Sequence, residues 1–189
     1  MFLEQDIIAP LLVQNTAAHT SVKPWAQAFN DLTNLTLHPS TKYAFDIVFG
    51  PMLLDDTTRI AQAVAQAPLT AEFVKNEADA VRLFHTQISL IIMQYFSSMP
   101  VVKQLDQSGP LGNSSFGGFV DTQFFQVPTQ ELLAIGEHKT PGVIGSEWSP
   151  ARQTAEMQDL GRELRAYAYH YKCPQVFCYD GVRMLIVRL

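Results

Sequence analysis

Cysteine and charge are both scarce in this chain. Only Cys173 and Cys178 occur in 189 residues, and a single close pair in a chain of that size suggests neither a disulfide framework nor a zinc knuckle. They are expected to be reduced, buried thiols. Charged residues make up 16% of the sequence with no positive excess: 13 Lys+Arg stand against 18 Asp+Glu, a net charge of −5. A field of that sign repels a polyanion, so any nucleic-acid binding must rest on a local basic patch or a metal ion. Long hydrophobic runs are missing as well. The longest, Ile88 to Phe96, contains Ser89 and Gln94 and falls well short of the roughly 20 residues that span a bilayer. Near the amino end, Glu4 and Asp6 stand where a secretory signal carries positive charge, and Pro10 interrupts the apolar stretch. These absences predict an intracellular protein, cytoplasmic or nuclear, with no membrane partner.

What is present is apolar material: 47% hydrophobic residues, with 12 Phe, 6 Tyr and 2 Trp. That is enough for a substantial core in one large or two small domains. The acid excess lies in the first half, with 6 basic and 10 acidic residues up to Ser115, then 7 and 8 from Phe116 onward. No internal repeat is visible. The only low-complexity stretch, Gln107 to Gly118, is dense in Gly and Ser and marks a natural boundary.

Before that boundary the periodicity is helical. Trp25–Leu37 and Pro51–Gln66 are helix candidates, and Ala71–Phe96 is the strongest, with Thr70 as its cap and Glu72 in its first turn. At 1.5 Å per residue the last would be about 39 Å long. Its row Glu77, Val81, Phe84, Ile88, Ile91, Tyr95 places a carboxylate at the start of a buried stripe, where a charge needs a partner. After the boundary the period becomes that of strands. Phe119–Val127 and Leu132–Lys139, joined by Pro128-Thr129-Gln130-Glu131, read as a β-hairpin, and the second run is apolar at both parities, as in a central strand. Ser149-Pro150 starts a long amphipathic helix that Lys172-Cys173-Pro174 stops. Its apolar face is Met157, Leu160, Leu164, Ala168 and Tyr171, beside a polar, basic row containing Arg162, Arg165 and Lys172. Two short strands, Gln175–Cys178 and Met184–Arg188, close the chain around Tyr179-Asp180-Gly181.

Glu137-His138-Lys139 ends the central strand, and side chains two apart share a face there, so Glu137 and Lys139 point together while His138 points away. Counting back through the hairpin sets Asp121 opposite His138 and diagonal to both. Diagonal neighbours lie about 7 Å apart, so two carboxylates and an ammonium converge at one corner of a sheet. Carboxylates this close repel unless a proton or cation lies between them, and oxygen ligands suit Mg²⁺ or Mn²⁺. Such an ion polarises a phosphoryl oxygen and lowers the pKa of bound water, and a lysine beside it can orient that water or stabilise charge developing on phosphorus. The group suits phosphodiester hydrolysis. His19, His38, His85 and His170 show no metal-ligand spacing, and no Gly-Lys-Ser/Thr follows Ser-Gly-Pro-Leu-Gly to make a phosphate loop.

An acid in one strand followed by Glu-x-Lys at the end of the next resembles the PD-(D/E)XK nuclease superfamily, in particular its nuclease-like domains common in fungal proteins. The order of elements around the motif is similar too, over roughly Leu69 to Leu189. The resemblance implies a restriction-endonuclease-like α/β fold, an αβββαβ mixed sheet flanked by helices, with residues 1–68 as an all-helical amino-terminal extension. It implies metal-dependent cleavage of nucleic acid, DNA ahead of RNA. By motif, Asp121, Glu137 and the main-chain carbonyl of His138 would hold Mg²⁺ or Mn²⁺. Lys139 would be the catalytic lysine and Glu77 a helix acid joining the site, while Arg162, Arg165 and Lys172 could meet substrate phosphate. Three departures stand out: Val120 replaces the motif's proline, the stretch before Asp121 is poor strand sequence, and Arg165 lies where the last helix often carries a glutamine. The competing class is a binding module, either the same fold with a degenerate site or an adaptor whose helical amino-terminal half engages a protein or a second copy.

Overall fold

The computed structural model describes residues 12–13, 23–32, 73–97, 101–111, 115–144 and 154–189. The described part is α/β, built on a five-stranded mixed sheet. Its strands are β3 (Val101–Ser108), β4 (Val120–Val127), β5 (Glu131–His138), β6 (Gln175–Tyr179) and β7 (Met184–Arg188), in spatial order of sequence. All neighbours are antiparallel except β5 and β6, which run parallel. A parallel pair needs a crossover, and helix α3 (Ala155–Tyr171) supplies it. A separate two-residue parallel pairing joins β1 (Leu12–Val13) to β2 (Phe73–Val74).

One face of the sheet packs on α3. Leu160, Leu164, Tyr167 and Tyr171 meet Val120, Ile135, Val176, Cys178 and Val187 in one buried cluster. The other face meets α1 (Glu77–Phe84), whose Ala80, Leu83 and Phe84 pack with Val74, Phe177 and Tyr179. Alternation along β6 makes this possible, since Val176 and Cys178 face one helix and Phe177 and Tyr179 the other. Both cysteines are free and buried.

The predicted helix over Ala71–Phe96 forms in part. It starts only at Glu77, because Asn76 caps it by accepting from the Asp79 N–H at 2.9 Å, while Phe73 and Val74 are taken by the β1 pairing. It then passes through a π-helical turn, His85–Ser89, into α2 (Leu90–Tyr95). Thr86 Oγ1 donates to the Arg82 carbonyl at 3.0 Å beside that turn. The strand that the αβββαβ order implies before β4 is β3, which lies mostly upstream of the Gly/Ser stretch and ends in its first two residues, Gln107 and Ser108. The second helix begins later than Ser149-Pro150 suggests, with Thr154 as its N-cap, and the closing hairpin lies where the sequence places it.

Of the predicted helix Trp25–Leu37, the described residues hold one 3₁₀ turn, Pro24–Ala26, so the expected α-helix does not begin there. Packing outweighs propensity: Trp25 lies 4.8 Å from the Tyr167 ring and 5.0 Å from Phe116 (centroid to centroid), and Leu32 is fully buried in the α3 cluster. A Cβ on Gly161 would stand 3.1 Å from the Leu32 backbone nitrogen, tighter than an ordinary contact, so the glycine eases the segment's close approach to α3. Residues 33–37 and the predicted helix Pro51–Gln66 lie outside the described residues.

Candidate functional site

Glu137, at the end of β5, is 2% exposed and faces α3. Its Oε1 accepts from Lys139 Nζ at 2.6 Å and from Lys23 Nζ at 2.9 Å. From α3, Glu163 and Tyr167 reach the same spot, one helical turn apart on one face. Lys23 Nζ lies 2.6 Å from Glu163 Oε1 and donates to the Tyr167 hydroxyl at 2.8 Å, while Lys139 Nζ lies 3.1 Å from Glu163 Oε2. Tyr167 in turn donates to the Phe119 carbonyl at 2.8 Å, which fixes the phenol against the start of β4. Two lysines and two glutamates thus interlock between sheet and helix.

Asp121 lies beside this group. The register Thr122–Gly136 carries Asp121 to the level of Glu137, one residue from the expected position opposite His138. The physical reason is the turn, which lies between Gln126 and Glu131 and so centres on Pro128-Thr129 instead of Thr129-Gln130; that alone would move the pairing by two residues, and the bulge between Phe124 and Phe125 takes one of them back. Asp121 Oδ2 accepts from the His138 main-chain N–H at 2.7 Å and Oδ1 accepts from Gln107 Nε2 at 2.5 Å. The atom of the His138 main chain seen to meet Asp121 is therefore its N–H. The His138 ring is fully buried on the α1 face, 4.9 Å from Phe84, with Nδ1 3.6 Å from Asp121 Oδ2.

Proton affinities follow from burial and partners. Burial pushes the Glu137 carboxyl up to about 8, helped by Glu163 and Asp121 and opposed by Lys139 and Lys23. Burial acts the same way on Glu163, but Lys139 and Lys23 outweigh it and hold its pKa below the ordinary value. Both lysines keep their protons more tightly than usual: burial works against the ammonium, and the two glutamates more than compensate. Burial likewise opposes ionisation of Asp121, yet the bonds from His138 and the charge of Lys139 lower its pKa. Tyr167 is held neutral by burial and by the neighbouring glutamates.

Other expected members stand apart. Glu77 is exposed at the first turn of α1 and joins none of these bonds among the described residues. Its helix covers the opposite sheet face, so the buried-carboxylate expectation for this position is corrected. Arg162 pairs with Asp159 at 2.8 Å, and Lys172 is exposed in the left-handed cap that ends α3. Arg165 is partly buried with its Nε unpartnered among the described residues. The predicted basic row is thus not what meets Glu137. Lys23 and Glu163 take that place, and they were not anticipated. Glu163 had a legible signal, an acid one residue before Leu164 on the buried side of an amphipathic helix; Lys23 had none beyond preceding a proline.

An open cleft of about 470 Å³ adjoins the group, lined by Trp25, Ser115, Phe116, Gly117, Gly118 and His170. Phe116 stacks on His170 with ring centroids 4.0 Å apart. Among the described residues no set of three or more His, Cys, Asp or Glu side chains converges as a ready metal cage, and no helix is long and apolar enough to cross a membrane. The donors that do meet are oxygens, and Glu137 Oε2 is buried without a hydrogen-bond partner, an arrangement that fits a hard divalent ion more readily than a soft one. No protein-family model matches this chain, and no curated protein and no solved structure matches it either.

Proposed function

We propose that this chain is a metal-dependent nuclease of restriction-endonuclease-like fold, hydrolysing phosphodiester bonds of nucleic acid. The observation that carries the proposal is the meeting of Asp121, Glu137 and Lys139 where antiparallel β4 and parallel β6 flank the end of β5. The helix, three strands, helix, strand order around them supports the same fold assignment. Glu137, with Asp121 level on the next strand and Glu163 opposite on α3, would hold Mg²⁺ or Mn²⁺. The ion would supply a polarised phosphoryl oxygen and an acidified water. The chain's own part is electrostatic: Lys139, kept protonated by two glutamates, places a fixed positive charge where negative charge builds on phosphorus. Tyr167, neutral and anchored to the Phe119 carbonyl, accepts from Lys23 and fixes its ammonium beside Glu137. The cleft beside Tyr167 offers aromatic walls of the kind on which unpaired bases stack.

A degenerate, binding-only site is favoured by one observation, the four-way ion pair that satisfies Lys139 and Lys23 without a ligand. Cleavage assays separate the two. Wild type with Mg²⁺ or Mn²⁺ is expected to cut DNA or RNA. Glu137→Gln and Lys139→Ala should each lower the rate by at least a hundredfold, with metal binding, followed by calorimetry, lost only in the first. Full activity in Lys139→Ala would exclude the nuclease assignment.

A further inference from the structure

The ammonium of Lys23 has three donors, and three oxygens surround it: Glu137 Oε1 at 2.9 Å, Glu163 Oε1 at 2.6 Å and the Tyr167 hydroxyl at 2.8 Å. Two carboxylic oxygens from different elements plus one phenolic oxygen form the contact set of a bound cation. The cation here belongs to the chain. The Lys23 side chain is 30% exposed, while those of Glu137 and Glu163 are 3% and 6% exposed, so Lys23 is the solvent-side member of the group.

A second, independent feature points to a ligand. Glu137 Oε2 is buried and accepts no hydrogen bond among the described residues. Both lysines crowd onto Oε1 instead. A buried carboxylate oxygen left bare is costly unless something else can use it. Counting formal charge gives the same direction. With every carboxyl ionised, Glu137, Glu163, Lys139 and Lys23 sum to zero; without Lys23 the remaining three carry −1, and Asp121 beside them makes −2. That deficit equals the charge of one divalent ion.

The segment bearing Lys23 is packed firmly enough to hold the ammonium in place, by Trp25 on Tyr167 and Phe116 and by Leu32 on Gly161. It nonetheless reaches the two glutamates through a single long side chain. Its flexible stem lets the ammonium move out to water once another cation takes over the two glutamates, which lie on a strand and a helix.

We infer, on the footing of the metal-dependent chemistry proposed above, that Glu137 and Glu163 form a divalent-cation position whose occupant in this state is the ammonium of Lys23, so that metal loading requires Lys23 to be displaced. The chain then carries a built-in competitor for its own metal. The apparent affinity for the ion is lower than that of the bare carboxylate pair, and the displaced ammonium becomes available to an incoming anion.

Mn²⁺ titration of the full chain by calorimetry tests this in wild type, Lys23→Met and Lys23→Arg. Lys23→Met is expected to bind one Mn²⁺ at least tenfold more tightly than wild type, and Lys23→Arg to stay near wild type. Equal or weaker binding by a folded Lys23→Met would overturn the inference. A measurement on wild type alone guards against a variant that fails to fold. Lys23 acetylation by acetic anhydride, read by mass spectrometry, should rise at least fivefold when Mn²⁺ is added, with exposed Lys103 unchanged as internal standard; equal labelling of Lys23 with and without saturating Mn²⁺ would also refute displacement. Because every readout is metal binding or lysine accessibility, tight Mn²⁺ binding without cleavage would leave this inference standing and remove the nuclease assignment. Cleavage with no effect of Lys23→Met on Mn²⁺ affinity would do the reverse.

Discussion

Asp180 shows what one carboxylate can organise. It is fully buried, and it accepts from four main-chain N–H groups: Gly142 and Ile144 at 3.1 Å each, Val182 at 3.0 Å and Arg183 at 2.7 Å. Through them it ties the chain leaving β5 just after Lys139 to the turn between β6 and β7. Hydrogen bonds to a charged group contribute about 1.5–3 kcal/mol each in favourable cases and are not additive. Asp180→Ala leaves several buried donors bare and is expected to cost about 3–5 kcal/mol, measurable as a lower urea midpoint with unchanged slope. Asp180→Asn, which retains an acceptor oxygen, should cost less. Tyr171 and Tyr179 give a pH counterpart. Burial raises both phenols to about 12 from an ordinary value near 10, so the folded state favours their neutral forms. Their contribution to stability is complete below about pH 10 and is lost as pH rises from there through 12. Absorbance at 295 nm should accordingly show part of the six tyrosines ionising only in that range, together with unfolding.

At the scale of elements, α3 is the piece on which the site and the core both depend. A glycine inside a helix usually costs about 1 kcal/mol relative to alanine, so Gly161→Ala would ordinarily stabilise α3. Leu32 works against that gain, because the added methyl would crowd its nitrogen at 3.1 Å and its Cγ at 3.3 Å. Gly161→Val is expected to destabilise by about 1–3 kcal/mol and to loosen the Lys23 segment, seen as faster amide exchange at Leu32. The sequence announced much of this element, but not all of it. The apolar row of α3 and the Glu137/Lys139 pair follow from period alone, and the parity rule places His138 on the opposite face correctly. Two things were hidden for physical reasons. The hairpin turn closes one residue earlier than its proline-led loop suggests, and the bulge at Phe124/Phe125, with no glycine to betray it, recovers one of the two register steps this costs, so the pairing at Asp121 differs by one residue. The helix over Ala71–Phe96 looked continuous because period says nothing about which end is used for strand pairing, and Asn76 decided the start.

For the whole molecule the deciding quantity is charge. A net charge of −5 opposes any polyanion, and the two lysines in the site are matched by its glutamates. Binding of DNA or RNA should therefore depend on a divalent ion. In filter-binding or anisotropy experiments, retention with Ca²⁺, an ion expected to bridge without supporting hydrolysis, should exceed that in EDTA by at least tenfold and fall steeply between 50 and 200 mM salt, on the order seen when several phosphates are neutralised. Retention that is equal in EDTA would place the nucleic-acid surface elsewhere. The carboxylate and lysine of the site could be read one by one from the sequence. Lys23 could not, because its partners lie far along the chain and nothing in its neighbourhood records them.

That distance has a consequence of its own. Lys23 and Tyr167, joined by one hydrogen bond, are separated by 144 positions. At synthesis rates of about 5–20 residues per second, roughly 7–30 s pass between the emergence of the lysine and that of its partner. Glu137 and Lys139 also appear before Glu163, so β4 and β5 are made while the helix that neutralises their end is still unwritten. Closure of the site is therefore among the last events of folding, and a chain truncated before residue 163 would carry the motif without the environment that sets its charge.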